Sequence, residues 1–156
     1  MIKILFVCHG NICRSPMAEF VMKDIVKKKG IENEFFIASA ATSTEEIGNG
    51  VHYGTKNKLK SYGISTDGKR AVQLRKSDYE DYDYIIGMDV YNLRNMKRML
   101  PEDSENKIHL LLDFSDNPRD IADPWYTGDF DKTYDDVLEG CKALLSEILR
   151  NRIPKN

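Results

Sequence analysis

A cysteine and an arginine capable of phosphate chemistry share one short segment near the start of the chain. Cys8 and Arg14 are separated by five residues, and Ser15 and Pro16 follow directly. A thiolate can attack phosphorus, while the planar guanidinium of an arginine can bind two phosphate oxygens. The spacing therefore predicts covalent phosphoryl transfer through a cysteine. The alternative is that Cys8 is a small buried residue at a strand end and Arg14 a surface residue.

The residues between Cys8 and Arg14 can form an anion-binding turn. This stretch contains no proline, so every residue carries a backbone N–H group, and such groups can curl around a phosphate. Gly10 supplies conformational freedom, and Asn11 tolerates left-handed geometry. The predicted phosphate-binding residues are His9, Gly10, Asn11, Ile12, Cys13 and Arg14.

A helix is predicted to follow this turn, with Ser15 as its N-cap and Pro16 in its first position. Its positive end points at the same anion site. A helix N-terminus and an arginine also favour the thiolate form of a nearby cysteine. We therefore expect Cys8 to be ionised at neutral pH, with Ser15 able to donate a hydrogen bond to the sulfur. A nucleotide-binding P-loop is excluded, because no Gly-Lys-Ser/Thr sequence follows the turn.

Strands and helices alternate along the chain. Strands are predicted at residues 2–7, 34–40, 82–88 and 107–111, and helices at residues 16–29, 53–62, 90–99 and 130–150. This alternation predicts an α/β fold with a parallel sheet covered by helices on both faces. Ligands of such folds bind at the carboxyl ends of the strands, which is where the turn after the first strand lies.

The composition limits the classes of function. The chain has 156 residues and a formal net charge of −2, so we expect one domain over residues 1–156 and no broad attraction to nucleic acid or membranes. No apolar run approaches the roughly 20 residues of a membrane span. The first strand makes a poor signal peptide, and three cysteines argue against a secreted disulfide framework. We therefore expect a cytoplasmic protein, with a monomer as the default.

A phosphate ester also needs a proton donor for its leaving oxygen, and Asp123 is the best-placed candidate in the sequence. It lies in a turn-rich stretch before the last helix, and Pro124 keeps it out of a helix. The following Trp125 and Tyr126 can form a wall for an aryl group. From the residues alone, four other aspartates are rivals for the role: Asp113, Asp116, Asp120 and Asp129.

Over nearly its whole length the chain resembles the low-molecular-weight protein tyrosine phosphatases. The motifs that carry the resemblance lie at residues 6–19 (FVCHGNICRSPMAE), 39–43 (SAATS), 46–48 (EIG), 84–89 (YIIGMD), 92–93 (NL) and 123–124 (DP). Motifs this long, in the same order, are highly specific. The resemblance implies a single-domain flavodoxin-like sandwich built on four parallel strands.

The resemblance also implies roles for individual residues. Cys8 is the expected nucleophile, Arg14 the phosphate clamp, and Asp123 the general acid and then base. The expected supporting residues, which hold or brace the loop, are Asn11, Ser15, Ser39 and Asp89. The implied substrates are phosphotyrosine-containing proteins or aryl phosphates, with inorganic phosphate as product and inhibitor, and no metal or other cofactor is expected.

Cys13 matches a second cysteine that family members use for a reversible disulfide with the nucleophile. An oxidised Cys8 would pass through a sulfenic acid that a nearby thiol can trap. The alternative is that Cys13 only packs beneath the loop.

The chain departs from the family pattern at three positions. Glu45 stands where many relatives carry an aromatic wall residue, and we expect it to weaken the binding of acidic phosphopeptides. Lys69 and Val72 replace a histidine and an arginine, so the bracing of Asn11 is expected to differ.

Two other functions compete with the phosphatase hypothesis. An arsenate reductase needs further redox cysteines near the nucleophile, but Cys141 lies in the apolar stripe of the last helix and is expected in the core. A catalytically silent phosphotyrosine-binding module is disfavoured because Cys8, Arg14 and Asp123 are all retained. Tyr126 is a regulatory phosphorylation site only by analogy.

Overall fold

The computed structural model describes residues 1–152 and contains a parallel sheet of four strands. The strands are β1 (Ile2–Cys8), β2 (Phe35–Ala41), β3 (Tyr84–Gly87) and β4 (Ile108–Leu110). Their order across the sheet is β2-β1-β3-β4, and every neighbouring pair is parallel. The predicted α/β fold with a parallel sheet is confirmed.

Six α-helices connect and cover these strands in the described part of the chain. They are α1 (Arg14–Lys28), α2 (Tyr53–Lys60), α3 (Asp78–Asp81), α4 (Val90–Met99), α5 (Pro124–Thr127) and α6 (Phe130–Arg152). Short 3-10 helices cover Glu32–Glu34 and Leu111–Phe114. The sequence did not predict α3 and α5, because four residues are too few to display a helical period. Across residues 1–152, no helix is long and apolar enough to cross a membrane.

The sheet separates two apolar cores. Successive side chains of β1 point to opposite faces of the sheet, so the strand contributes to both cores. Ile4 and Phe6 point into the larger core, which α1 and α6 cover, while Leu5 and Val7 belong to the smaller core beneath α4. Cys141 is fully buried in the larger core, as expected. Because β1 is flanked by β2 and β3, the turn that follows it emerges from the middle of the sheet.

The start of α1 differs from the prediction. The helix begins at Arg14 with Cys13 as its N-cap residue, so the assignment of Ser15 as the cap and Pro16 as the first helical residue is wrong. The N–H of Met17 already donates to the carbonyl of Cys13. The hydroxyl of Ser15 contacts Cys8 and Asn11 instead of capping the helix.

Candidate active site

The turn between β1 and α1 is held by bonds to its carbonyl groups. The N–H groups of Thr42 and Ser43 donate to the carbonyls of Cys8 and His9 at 2.9 and 3.0 Å. Further along, the N–H of residue 52 donates to the carbonyl of Ile12 at 2.9 Å. Within residues 1–152, no protein acceptor takes the N–H groups of residues 9–14. These donors, at the positive end of α1, are therefore free for an anion.

Asn11 and Gly10, which were predicted to shape this turn, differ in backbone conformation. Asn11 has φ of +59°, the left-handed geometry predicted for it. Gly10 does not adopt a left-handed conformation. A Cβ at Gly10 would lie 3.4 Å from the Cγ of Glu46. That distance is an ordinary van der Waals contact, so neither backbone conformation nor packing requires glycine at position 10.

The sulfur of Cys8 lies beside Ser15. The two side chains are 3.0 Å apart, and the Ser15 N–H also points at the sulfur, at 3.4 Å. The distance leaves the direction of the side-chain bond open, but Asn11 decides it. Its Nδ2 donates to the Ser15 Oγ at 2.8 Å, so the serine's own hydrogen is available to the sulfur. Both bonds suit a thiolate, which accepts hydrogen bonds.

The orientation of the Asn11 amide is fixed from its other side. The N–H of Val72 donates to the Asn11 Oδ1 at 3.1 Å, which leaves Nδ2 for Ser15 and, at 2.9 Å, for Ser39. The Ser39 hydroxyl donates onward to Glu19 at 2.6 Å. A chain of hydrogen bonds therefore connects the Glu19 carboxylate to the Cys8 sulfur, with donation running outward from the Asn11 amide toward both ends.

Two lysines contact the Glu19 end of this chain of hydrogen bonds. Lys23 donates to Glu19 at 2.6 Å, while the Nζ of Lys69 lies 3.6 Å from the same carboxylate and donates to the Ser39 carbonyl at 2.9 Å. Burial lowers the pKa of Lys69, and the charge of Glu19 acts in the opposite direction. Asn11 itself is held by a backbone N–H at position 72, a contact that does not depend on the side chain there.

Arg14 is almost fully buried and tied to three groups. Its Nη1 donates to Asp89 at 2.5 Å and to the Ile121 carbonyl at 2.9 Å, while Nη2 lies 3.4 Å from Asp123. Burial works against the charge, but Cys8 and the two aspartates outweigh it and raise the pKa of the guanidinium. Both Nη1 hydrogens and one Nη2 hydrogen are directed at these groups, which leaves the Nε hydrogen and the second Nη2 hydrogen to bind an anion.

Asp123 is the N-cap residue of α5. Its Oδ1 accepts the N–H of Trp125 at 3.0 Å, and its Oδ2 is the oxygen near Arg14. Residues Trp125 and Tyr126 are 57% and 84% exposed, so neither covers the core. The rival aspartates at positions 113, 116, 120 and 129 do not line the cleft described next.

One cleft brings most of the predicted site residues together. It is lined by Cys8, His9, Gly10, Ile12, Cys13, Arg14, Glu45, Glu46, Asp123, Trp125 and Tyr126. Asn11 and Ser15 do not line it, and their side chains hold the turn through hydrogen bonds, while the phosphate contact predicted for the backbone N–H of Asn11 stays a prediction. Ser39 and Asp89 likewise support the turn and the arginine from outside.

Glu45 and Cys13, which also line the cleft, have different surroundings. Glu45 is exposed and lies 3.1 Å from the ring of His9, and its expected effect on acidic phosphopeptides stays a prediction. Cys13 is buried, and burial together with the charge of Cys8 raises its pKa to about 12. Sequence reasoning missed the contributions of Glu46, Glu19 and the Ile121 carbonyl, because only the fold brings them to the turn.

Comparison with known proteins places this geometry in a family. The profile described as low molecular weight phosphotyrosine protein phosphatase matches residues 3–153. The chain belongs to this family. It is 41% identical to the low molecular weight protein-tyrosine-phosphatase YfkJ of Bacillus subtilis, over 97% of this chain and 99% of that protein. It is 42% identical to the low molecular weight phosphotyrosine protein phosphatase of Gallus gallus, over 92% and 94%.

Solved structures of the family share the fold. The crystal structure of YfkJ superposes with a TM-score of 0.93 and covers 98% of each chain. The drosophila arginine phosphatase DARP, at 30% identity, superposes with a TM-score of 0.87 and covers 94% of this chain and 98% of its own. The chain therefore has the family fold. Since the arginine phosphatase DARP shares this fold, the fold alone does not determine which leaving group the cleft accepts.

Proposed function

We propose that the chain is a protein-tyrosine phosphatase that works through a cysteinyl-phosphate intermediate. The observation that carries the proposal is the convergence at one turn of a hydrogen-bonded sulfur, free backbone N–H groups, a buried arginine and a carboxyl group. Cys8 is the nucleophile, Arg14 holds the phosphate, and Asp123 moves the proton. Its substrates are phosphotyrosine-containing proteins and aryl phosphates.

The first step transfers the phosphoryl group to the enzyme. The Cys8 thiolate forms a bond to phosphorus while the bond from phosphorus to the phenolic oxygen breaks. Arg14 and the N–H groups of the turn stabilise the charge on the equatorial oxygens. Asp123 gives its proton to the departing oxygen, so the phenol leaves neutral.

The second step returns the enzyme to its starting state. A water molecule takes the place of the phenol and gives a proton to Asp123 as its oxygen attacks phosphorus. The S–P bond breaks, Cys8 regains its charge, and inorganic phosphate leaves. The hydrogen bond from Ser15 stabilises the thiolate as a leaving group. Because phosphate fits the same turn, we expect it to inhibit as a product.

The walls of the cleft favour an aryl leaving group. Ile12, Trp125 and Tyr126 present apolar surface beside the turn, which suits the ring of phosphotyrosine. Glu45 and Glu46 also line the cleft. A phosphoarginine peptide is the informative competitor, since carboxylates favour a guanidinium and apolar walls favour a phenol ring.

Kinetics of two variants test the proposal. Cys8→Ser abolishes hydrolysis of para-nitrophenyl phosphate and of a phosphotyrosine peptide. Asp123→Asn lowers kcat by roughly 10² to 10⁴-fold, because an amide keeps the cap on α5 but carries no transferable proton. The wild type hydrolyses the phosphotyrosine peptide with a higher kcat/KM than the matched phosphoarginine peptide.

Other outcomes would point elsewhere. Unchanged turnover in the Cys8 variant would refute the assignment of the nucleophile. Binding of phosphotyrosine without turnover by the wild type would indicate a silent binding module, and thiol-dependent reduction of arsenate would indicate an arsenate reductase. Pull-down of phosphoproteins with Asp123→Ala would then identify the physiological substrates.

We also infer that Cys13 protects the nucleophile from irreversible oxidation. Both cysteines line the same cleft, and oxidation of Cys8 to a sulfenic acid would give Cys13 a sulfur to attack, releasing water and forming a disulfide. We expect dithiothreitol to restore activity after peroxide treatment of the wild type but not of Cys13→Ser. Equal recovery of both proteins would leave Cys13 with a packing role.

A further inference from the structure

We propose that His52 is a positioning residue that holds the acid-bearing helix α5 against the phosphate-binding turn. The inference rests on the proposed function, because it concerns the placement of Asp123. His52 precedes α2, and it contacts the turn through its backbone and α5 through its ring. No feature of the sequence singled it out.

The backbone at this point is attached directly to the turn. The N–H of His52 donates to the carbonyl of Ile12 at 2.9 Å, and the hydroxyl of Thr55 donates to the carbonyl of Cys13 at 3.0 Å. These bonds hold two consecutive carbonyls of the turn away from the cleft. The start of α2 therefore moves together with the phosphate-binding turn.

The ring of His52 is locked in one orientation. Its Nδ1 accepts the N–H of Gly54 at 3.0 Å, which makes the side chain the N-cap of α2. The ring stacks on Phe130 with centroids 5.3 Å apart and planes 13° apart. A Cβ at Gly54 would collide with the Phe130 ring, so the glycine permits this close packing.

The locked ring meets the acid-bearing helix edge to face. The centroids of His52 and Trp125 are 5.5 Å apart, with planes at 74°. The N–H of Trp125 in turn donates to Asp123 at 3.0 Å. Placing the Trp125 ring thus places its backbone, and the backbone orients the carboxyl group of Asp123 toward Arg14 and the cleft.

Two substitutions separate the ring from the cap. His52→Asn keeps a side-chain acceptor for Gly54 but removes the ring, whereas His52→Phe keeps the ring and removes the acceptor. The readout is the ratio of kcat/KM for para-nitrophenyl phosphate, a good leaving group, to that for phenyl phosphate, a poor one. A misplaced acid penalises the poor leaving group, so we expect His52→Asn to raise the ratio about ten-fold and His52→Phe to leave it unchanged.

A second readout does not require turnover. Trp125 is the sole tryptophan of the chain, so the protein's tryptophan fluorescence reports on this contact. We expect acrylamide to quench His52→Asn more strongly than the wild type, and His52→Phe to match the wild type. Thermal unfolding of each variant verifies that it is folded.

The results can contradict the inference in a definite way. If Asp123→Asn raises the leaving-group ratio but His52→Asn does not, Asp123 is the acid and His52 does not position it. If both His52 variants keep the wild-type ratio and the wild-type quenching, the ring does not position α5. If Asp123→Asn itself leaves the ratio unchanged, the acid of the proposed function is wrong, whatever His52 does to the fluorescence.

Discussion

The three cysteines of this chain share a side-chain type but have different surroundings. The Cys8 sulfur receives hydrogen bonds from both the backbone and the side chain of Ser15. Burial and the neighbouring charge of Cys8 raise the pKa of the Cys13 thiol to about 12, and burial alone raises the pKa of Cys141. Nucleophilicity requires the thiolate, so their raised pKa values disfavour Cys13 and Cys141 as nucleophiles.

Selective alkylation at neutral pH follows from this difference. Iodoacetate is expected to modify Cys8 first, while the raised pKa of Cys13 leaves a negligible thiolate fraction at pH 7. Peptide mapping by mass spectrometry after brief treatment locates the modification. Inorganic phosphate, which competes for the same turn, is expected to slow it. Modification of Cys13 or Cys141 ahead of Cys8 would contradict the assignment.

Some properties of single residues in the turn were predictable from the sequence, and others were not. The left-handed conformation of Asn11 was expected because a short polar side chain tolerates it. The direction of the hydrogen bond from Ser15 to Cys8 was not derivable in the same way. It depends on the amide orientation of Asn11, which a backbone N–H at position 72 sets from a distant part of the chain.

At the scale of elements, the caps of two helices also hold the arginine. Asp89 caps α4, with one oxygen accepting the N–H of Asn92 at 2.8 Å and the other accepting from Arg14. Asp123 does the same for α5. One carboxylate thus fixes a helix start and a guanidinium together, so the orientation of Arg14 is coupled to the placement of both helices.

Removal of the Asp89 side chain is expected to lower both the stability and the activity of the protein. Asp89→Ala lowers the free energy of unfolding by about 1 kcal/mol through the lost cap. It also lowers kcat/KM by about ten-fold, because Arg14 loses its closest partner. Chemical denaturation and steady-state kinetics measure the two effects.

A matched control is available at α6. The carboxylate of Asp129 accepts the N–H of Lys132 at 2.9 Å at the start of that helix and does not contact Arg14. Asp129→Ala is therefore expected to cost stability without changing kcat/KM. A similar loss of activity in both variants would show that the effect of Asp89 is not exerted through the arginine.

At the scale of the whole molecule, several tyrosines lie where the fold shields their hydroxyl groups. Burial raises the pKa of Tyr82, and the charges of Asp78 and Asp81 add to the effect. A tyrosine with a raised folded-state pKa keeps its proton after the unfolded chain has lost it. The unfolded state then binds fewer protons, so stability falls as pH rises through this range.

Alkaline denaturation tests this relation. The free energy of unfolding of the wild type is expected to decrease above pH 10, the ordinary pKa of tyrosine, more steeply than that of Tyr82→Phe. The phenylalanine keeps the packing against Phe36 but cannot ionise. Urea denaturation at a series of pH values provides the measurement. Parallel curves for the two proteins would refute the contribution of Tyr82.

The order of the four strands and the four longer helices was predictable from the sequence, and so was the position of the turn that carries Cys8 and Arg14. These properties are local, because hydrophobic period, glycine and proline placement and short spacing act over a few residues. The predicted bounds of α4 agree with the structure for this reason. The bounds of α1 do not, since Ser15 binds a neighbouring sulfur rather than capping its own helix.

The groups that reach the turn from distant parts of the chain could be identified only from the folded structure. Glu19 and the Ile121 carbonyl come from separate parts of the chain, and their contacts depend on how the fold brings these parts together. The same holds for His52, whose backbone donates to the turn and whose ring contacts Trp125 of α5. Hydrogen bonds act over about 3 Å, so no pattern along the chain can reveal them until folding brings the partners together.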